Sequence, residues 1–359
     1  MIGRRGFGLL TAGAALSVVG AVGSLRADRG TGRVPAAAGP LLPGLVDRLD
    51  RVASVTVARP RGEVSLARAG KGWTVASRHG YPADDARVAG LLDSLARLTR
   101  ETALTARPEL WPRLGLGEPG TPRPEREGSV ERENEPGTRV TLRDATGTVL
   151  ADVILGPAAP PRPTPDGGRG PALYARLVAG ERAWRAGGAV DLPRAALDWL
   201  DRRLVDLPAA RLDRLTVEGT DGAAVTLARG PDGTLAPATP LPGGAPADPR
   251  AVSLLADAFE ALDLADVRPA GDGGPDAALV AVARATAAEG LAVEARQTGA
   301  ADDPAGRWCR FIVETAPEAS PAARSEAEAL RRRLDAWTYR LPAHRARRLA
   351  TTDLTGDPA

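Results

Sequence analysis

Histidine, cysteine and aromatic residues are scarce in this chain. Its 359 residues include two histidines, His79 and His344, one cysteine, Cys309, and only 3% aromatic residues. A single cysteine excludes a disulfide framework, a cysteine-rich zinc site and an iron–sulfur cluster within one chain. Nucleophilic catalysis of the Cys–His or Ser–His type would have to use one of the two histidines, and no Gly-x-Ser-x-Gly elbow accompanies either.

An excess of charge of one sign is also missing. The chain carries 47 basic and 45 acidic residues, for a formal net charge of +2, which argues against a nucleic-acid partner. The glycine cluster Gly271–Gly274 is not followed by the Gly-Lys-Ser/Thr ending of a nucleotide-binding loop. We therefore expect no cofactor, no metal ion and no nucleic acid. A hydrophobic content of 43% is ordinary for a globular protein and excludes wholesale disorder.

The first 45 residues predict attachment to a membrane. Arg4 and Arg5 precede the uncharged stretch Gly6–Leu25, which as a helix would be long enough to cross a bilayer. We interpret residues 1–27 as a signal anchor or export signal and the Pro- and Gly-rich residues 28–45 as a flexible tether. The expected location is the inner membrane, with a single pass through residues 6–25 and the bulk of the chain in the periplasm.

Two alternatives stay open for this segment. Arg4-Arg5-Gly6-Phe7 resembles the start of a twin-arginine signal, so the segment could be cleaved after export. It could also be a buried Ala- and Gly-rich helix of a soluble domain.

Short segments of the first half recur in the second half. Leu49-Asp50-Arg51-Val52 resembles Leu212-Asp213-Arg214-Leu215, and Pro82-Ala83-Asp84 is repeated as Pro246-Ala247-Asp248. A repeat at such long spacing indicates two copies of one supersecondary unit. A helix capped by Asp84 or Asp85 and running to about Arg97 is predicted in the first copy, from apolar residues at helical spacing.

Alternating apolar and polar residues predict several neighbouring strands in each copy. The segments are Val52–Ala58, Glu63–Arg68, Gly72–Ser77, Arg139–Arg143, Val149–Leu155, Leu173–Val178, Leu279–Arg284, Leu291–Arg296 and Trp308–Thr315. Runs of strands without regular βαβ alternation favour antiparallel sheets packed against helices. We expect an α+β fold: two tandem antiparallel-sheet-plus-helix modules behind an N-terminal membrane helix. Residues 46–208 form the first module, with two long loops, and residues 209–359 the second, with C-terminal helices.

Two groups of aromatic residues could contact a partner. The candidate partner surface comprises Trp199, Arg202, Arg203, Trp337 and Tyr339. The alternative interpretation is that these aromatic residues anchor the core. The basic tail Ala343–Ala350 is expected to be a solvated face, with contact to an acidic partner or to lipid headgroups as the alternative.

Five segments of the chain follow one another in a recognisable order: Leu42–Val52, Gly72–Leu98, Arg139–Gly156, Asp198–Pro208 and Trp337–Leu349. This order resembles a bacterial family known as domain of unknown function 4340. The resemblance implies an N-terminally anchored envelope protein, associated with an ABC-type export system of the kind linked to gliding motility. It implies no catalytic residues, and the two long loops, Gly117–Thr138 and Pro157–Pro171, are longer than the family leads one to expect.

These observations predict a non-enzymatic, membrane-anchored, extracytoplasmic accessory or scaffold subunit of an ABC-type transport complex. Its expected partners are the inner-membrane transporter subunits. One alternative is an envelope glycan hydrolase that uses paired carboxylates about 5–10 Å apart in a cleft. Another is a glycan- or peptide-binding module, which would need Trp199 or Trp337 exposed beside a groove.

Overall fold

The computed structural model describes residues 39–120, 136–161, 170–271, 278–300, 302–303 and 305–355. These residues belong to one compact unit. The predicted anchor, residues 1–27, lies outside the described residues. Within the described part of the chain, no helix is both long and apolar enough to cross a membrane.

The first half of the chain folds into a nine-stranded antiparallel sheet. Its strands are β1 (Val52–Arg59), β2 (Gly62–Ala69), β3 (Gly72–Val75), β4 (Tyr81–Pro82), β5 (Thr99–Ala103), β6 (Thr138–Asp144), β7 (Val149–Ala158), β8 (Ala172–Leu177) and β9 (Ala183–Gly187). Their spatial order is β4-β3-β2-β1-β6-β7-β8-β9-β5. In β1, Val55 and Val57 are buried whereas their neighbours are half-buried, which is the two-residue period of a strand with one face on a core.

The second half contains an eight-stranded antiparallel sheet. The remaining strands are β10 (Arg203–Val205), β11 (Leu212–Gly219), β12 (Ala224–Arg229), β13 (Leu235–Pro237), β14 (Leu262–Asp263), β15 (Asp266–Pro269), β16 (Leu279–Ala287), β17 (Leu291–Thr298), β18 (Trp308–Thr315) and β19 (Trp337–Arg340). The sheet has the order β13-β12-β11-β16-β17-β18-β19-β15, and β10 pairs with β14 outside it. Apart from β4, each strand of the first sheet has a counterpart at the same place in this order.

In the described residues, four α-helices accompany the sheets: α1 (Asp85–Ala96), α2 (Pro249–Ala256), α3 (Pro321–Leu334) and α4 (Ala343–Arg348). The side chain of Asp84 caps α1 by accepting a hydrogen bond from the backbone N–H of Arg87, and Asp248 caps α2 in the same way through Arg250. The helix that the sequence predicts from Asp84 or Asp85 to about Arg97 is therefore confirmed.

One hydrophobic core cluster draws residues from both sheets. It includes Val55 and Leu142 of the first sheet and Leu215 and Phe311 of the second. The fold class is a mixed α+β arrangement, mostly of antiparallel strands with a few helices, as the sequence predicts.

The predicted tether needs a correction. Within residues 28–45, the stretch from residue 39 onward is part of the fold, because Leu41, Leu42 and Leu45 are buried in the core. The N–H of Leu41 donates a hydrogen bond of 2.6 Å to the carbonyl oxygen of Leu98. The Pro and Gly residues around these three leucines predicted a tether, but the leucines attach this stretch to the hydrophobic core.

Candidate functional site

The structure separates the five residues of the candidate partner surface by burial. Trp199 and Tyr339 are 0% exposed, so neither side chain reaches the surface. Trp337 is half-buried, and Arg202 and Arg203 are exposed. Contact of these three residues with a partner stays a prediction.

The segment around Trp199 joins the two halves of the chain. The carbonyl oxygen of Trp199 accepts a 2.8 Å hydrogen bond from the N–H of Asp84, and Leu200 forms a β-bridge with Ala83. Further along, the guanidinium of Arg202 donates to the carbonyl oxygen of Leu264, at 3.2 and 3.1 Å. The segment also forms salt bridges: Arg203 pairs with Asp263 at 2.7 Å, and Asp201 pairs with Arg333 at 2.6 Å. Together these contacts connect the end of the first half to the strand region that follows α2.

Tyr339 and Trp337 belong to an aromatic cluster between the sheets. Tyr81 of β4 meets Trp337 edge-on, with 5.0 Å between ring centroids, and lies 6.1 Å from Tyr339. Phe311 completes the cluster at 5.8 Å from Tyr339. Burial raises the pKa of Tyr81 to about 12 and also raises the pKa of Tyr339. Both phenols are therefore neutral packing groups.

The scarce histidines and the cysteine are placed apart from any shared site. His79 is exposed in a left-handed turn with φ 57°, and His344 is exposed on α4. Burial, followed by the charges of neighbouring arginines, lowers the pKa of His344. Cys309 is buried in β18, where burial raises the pKa of its thiol. Among the described residues, no three His, Cys, Asp or Glu side chains are grouped so as to hold a metal ion.

An open groove lies between β13, at the edge of the second sheet, and α2. Its cavity volume is about 470 Å³. The residues that line it are Ala209, Ala210, Arg229, Leu235, Ala236, Pro237, Ala247, Pro249, Val252, Ser253 and Ala256. No carboxylate is among them, so the paired acids of a glycoside hydrolase are not found in this groove. Neither Trp199 nor Trp337 lines it.

Arg229 places a positive charge in the wall of the groove. Its Nε–H donates to the carbonyl oxygen of Leu212 at 2.8 Å, and Nη2 donates to that of Ala209 at 2.5 Å. Nη1 donates to the carbonyl oxygen of Gly233. Within the described part of the chain, Arg229 forms no ion pair with a carboxylate. Since a guanidinium has five N–H groups, two remain for a ligand.

The region that contains the connecting segment and the groove matches a known family. Residues 73–279 match the family described as a domain of unknown function, DUF4340. The chain belongs to the DUF4340 family. No curated protein matches the chain.

The DUF4340 match has a definite position on the structure. It begins at Trp73 in β3 and ends at the start of β16, so it includes α1, the connecting segment, every residue that lines the groove, and α2. The groove was not predicted from the sequence. The sequence does differ between the two copies next to the groove. The repeated Pro-Ala-Asp triplet is followed by Asp85 in the first copy and by Pro249, which lines the groove, in the second.

Proposed function

We propose that this chain is a membrane-anchored, extracytoplasmic scaffold subunit that binds a partner polypeptide in the groove between β13 and α2. The observation that carries the proposal is the groove itself, an apolar surface open at the edge of a sheet. Apolar clefts with a few fixed polar groups are typical of binding sites in proteins.

The charge of the groove indicates the chemistry of its occupant. Arg229 supplies a cation that is not neutralised by a carboxylate of the described chain, while the rest of the lining is apolar or small. An apolar segment that carries a carboxylate, on an acidic side chain or at a C-terminus, would satisfy both features. The exposed edge of β13 is a poor template for an added strand, because Pro237 has no N–H to donate. The occupant is therefore held by side chains.

We further propose that the two sheets are tandem copies of one module. Their shared strand order supports this, and so does the register: β1 and β11 both shift near their first residues, between Val52 and Ser54 and between Leu212 and Arg214. In such a pair, one copy can keep a closed core while the other acquires a binding surface.

The membrane anchor and the transport complex complete the proposal. The uncharged stretch Gly6–Leu25 supports an anchor, and the family resemblance supports partners among the subunits of an ABC-type transporter. No enzymatic step is assigned to the chain in this proposal.

Purification of the tagged full-length chain from detergent-solubilised membranes tests both the transport role and the role of the groove. We expect transporter subunits to copurify with the natural chain. Leu235→Trp, which fills the groove, should reduce their recovery at least about tenfold, a loss of about 1.4 kcal/mol in binding free energy. Val149→Trp is the matched control, since Val149 is 44% exposed and lies on the other sheet.

The outcomes separate the two parts of the proposal. Recovery of no transporter subunits with the natural chain would contradict the transport role. Equal recovery with Leu235→Trp and the natural chain would contradict the role of the groove.

A further inference from the structure

Two arginines pair with a single aspartate on one edge of the second sheet, and a third arginine lies near them on the same strand as the aspartate. Asp266 of β15 accepts hydrogen bonds from Arg78 at 3.3 Å and from Arg340 at 3.2 Å. The guanidinium of Arg268 lies 3.9 Å from the ring centroid of Trp308, and that of Arg340 lies 6.0 Å from the same centroid. Arg340 thus links the aspartate to the tryptophan, and the five residues form one continuous group, the arginine cluster.

The hydrogen bonding of this cluster is incomplete. In the described part of the chain, the side chain of Arg268 makes no hydrogen bond or ion pair, and its guanidinium contacts the Trp308 ring. Its Nε atom is buried without an acceptor, and so is the Nε atom of Arg78. Arginine N–H groups withdrawn from water ordinarily have an acceptor, because leaving them unpaired is costly.

The charge of the cluster is also unbalanced. The cluster contains three guanidinium groups and one carboxylate, that of Asp266, which pairs with both Arg78 and Arg340. The aspartate side chain is only 17% exposed, so water screens its charge less than that of an aspartate on an open surface. The cluster therefore holds about two positive charges in excess, with free N–H donors to match.

We propose that the arginine cluster binds a phosphoryl dianion. A phosphate monoester carries close to two negative charges at neutral pH and offers three acceptor oxygens. Arginine recognises such oxyanions through paired N–H groups, and the guanidinium of Arg268 rests against the Trp308 ring, which favours this position of the side chain. This site is separate from the groove and does not depend on the proposed scaffold role.

The origin of the three arginines gives binding a structural consequence. Arg78 lies in the turn between β3 and β4, whereas Arg268 and Arg340 belong to the second sheet. A ligand held by all three would connect the two sheets directly, beside the aromatic cluster of Tyr81 and Trp337. Binding is accordingly expected to raise the melting temperature of the chain.

Calorimetric titration of inorganic phosphate into the purified full-length chain tests the site. We expect saturable binding that is at least about tenfold weaker in Arg268→Gln and in Arg340→Gln. Arg214→Gln is the matched control, because Arg214 is exposed on β11 and belongs to no ion pair of the described residues. Arg268→Lys keeps the charge but not the paired donors, so we expect an intermediate loss.

Two further ligands distinguish the sources of a phosphoryl group. Glycerol phosphate represents a soluble monoester, and a short-chain phosphatidic acid in the same detergent represents a lipid headgroup. Binding of either one that weakens in Arg268→Gln supports the site, and the tighter ligand identifies the source. The proposal is overturned if none of the three ligands binds saturably, or if binding is the same in Arg268→Gln and Arg214→Gln while circular dichroism shows both variants folded.

Discussion

The two large sheets differ most clearly at the contact between a helix and a strand near one edge. The pair is α1 and β3 in the first sheet, and α2 and β13 in the second. In the first sheet, Trp73 of β3 pairs with Arg68 and is 7% exposed, with the guanidinium of Arg68 4.9 Å from its ring centroid. In the second sheet, Leu235 of β13 pairs with Arg229 in the same register but is half-buried. Trp73 is a large buried ring on the strand that contacts α1, whereas the smaller Leu235 lines the open groove beside α2.

The first turn of each helix reinforces the difference. Asp85 of α1 accepts a 2.8 Å hydrogen bond from the backbone N–H of Trp73, which ties the helix to β3. Pro249 occupies the first position of α2 and has no side-chain acceptor to offer β13. The first sheet and the second sheet thus differ at two positions, Trp73 against Leu235 and Asp85 against Pro249, while their strand order is the same.

Truncation of the paired residues should show the largest contrast. Trp73→Ala should lower the free energy of unfolding by about 3–5 kcal/mol, because it removes a buried ring and leaves a cavity. Leu235→Ala should lower it by about 1 kcal/mol or less, since the side chain already borders an open groove. Urea denaturation of the two variants measures both values, and equal losses would show that the two sites are packed alike.

Removal of the tie between α1 and β3 should have a smaller effect. Asp85→Ala leaves the N–H of Trp73 without its acceptor, and we expect a loss of about 1–2 kcal/mol. Pro249→Ala is the matched substitution in α2, where no such bond exists, and it should cost less. If Pro249→Ala proved the more destabilising of the two in the same urea titrations, the idea that Asp85 stabilises the contact between α1 and β3 would be wrong.

The N-terminal caps of α1 and α2 should contribute equally to stability. Asp84 accepts from Arg87 N–H at 3.1 Å, and Asp248 accepts from Arg250 N–H at 3.0 Å. Replacement of either aspartate by alanine should cost about 1 kcal/mol. Values for the two variants that differ by more than about 1 kcal/mol in thermal unfolding would contradict the idea that the capping is common to both helices.

Periodicity was enough to predict the strands that carry an apolar face. The alternation in β1, β6 and β17 and the helical spacing in α1 come from packing against a core, which the residue pattern records directly. Short edge strands show a weaker pattern of apolar and polar residues in the sequence. β15 carries Asp266 and Arg268 within four residues and is placed by its pairing with β19, a contact between distant parts of the chain.

The site depends on such distant contacts even more. The segment around Trp199 is held by the bond from Arg202 to the Leu264 carbonyl oxygen and by the bond from the Asp84 N–H to the Trp199 carbonyl oxygen, and these partners are specified only by the folded chain. The groove arises from the size of Leu235 relative to Trp73, and a size difference becomes meaningful only when the two positions are known to correspond.

The smallest difference between the two sheets lies in the ion pairs of the arginine that precedes the first strand of each sheet. Arg211, just before β11, donates to Glu289 and, at 2.7 Å, to Glu326 of α3. Burial alone would raise the pKa of Glu289, but the hydrogen bond from Arg211 and further bonds outweigh it and lower that pKa. Arg51, just before β1, pairs at 3.1 Å with Asp144, the one carboxylate that it contacts among the described residues.

A pH series distinguishes these two pairs. Because the pKa of Glu289 is lower in the folded chain, its contribution is complete above the ordinary glutamate pKa of about 4.3 and is lost as the pH falls through the lowered value. Arg211→Gln should therefore cost about 1 kcal/mol or less at neutral pH and flatten the stability profile in acid. Arg51→Gln should leave the profile nearly unchanged, since the Thr146 hydroxyl is the main cause of the lowered pKa of Asp144. Urea unfolding between neutral and acidic pH measures both slopes, and a steeper change for Arg51→Gln would reverse the comparison.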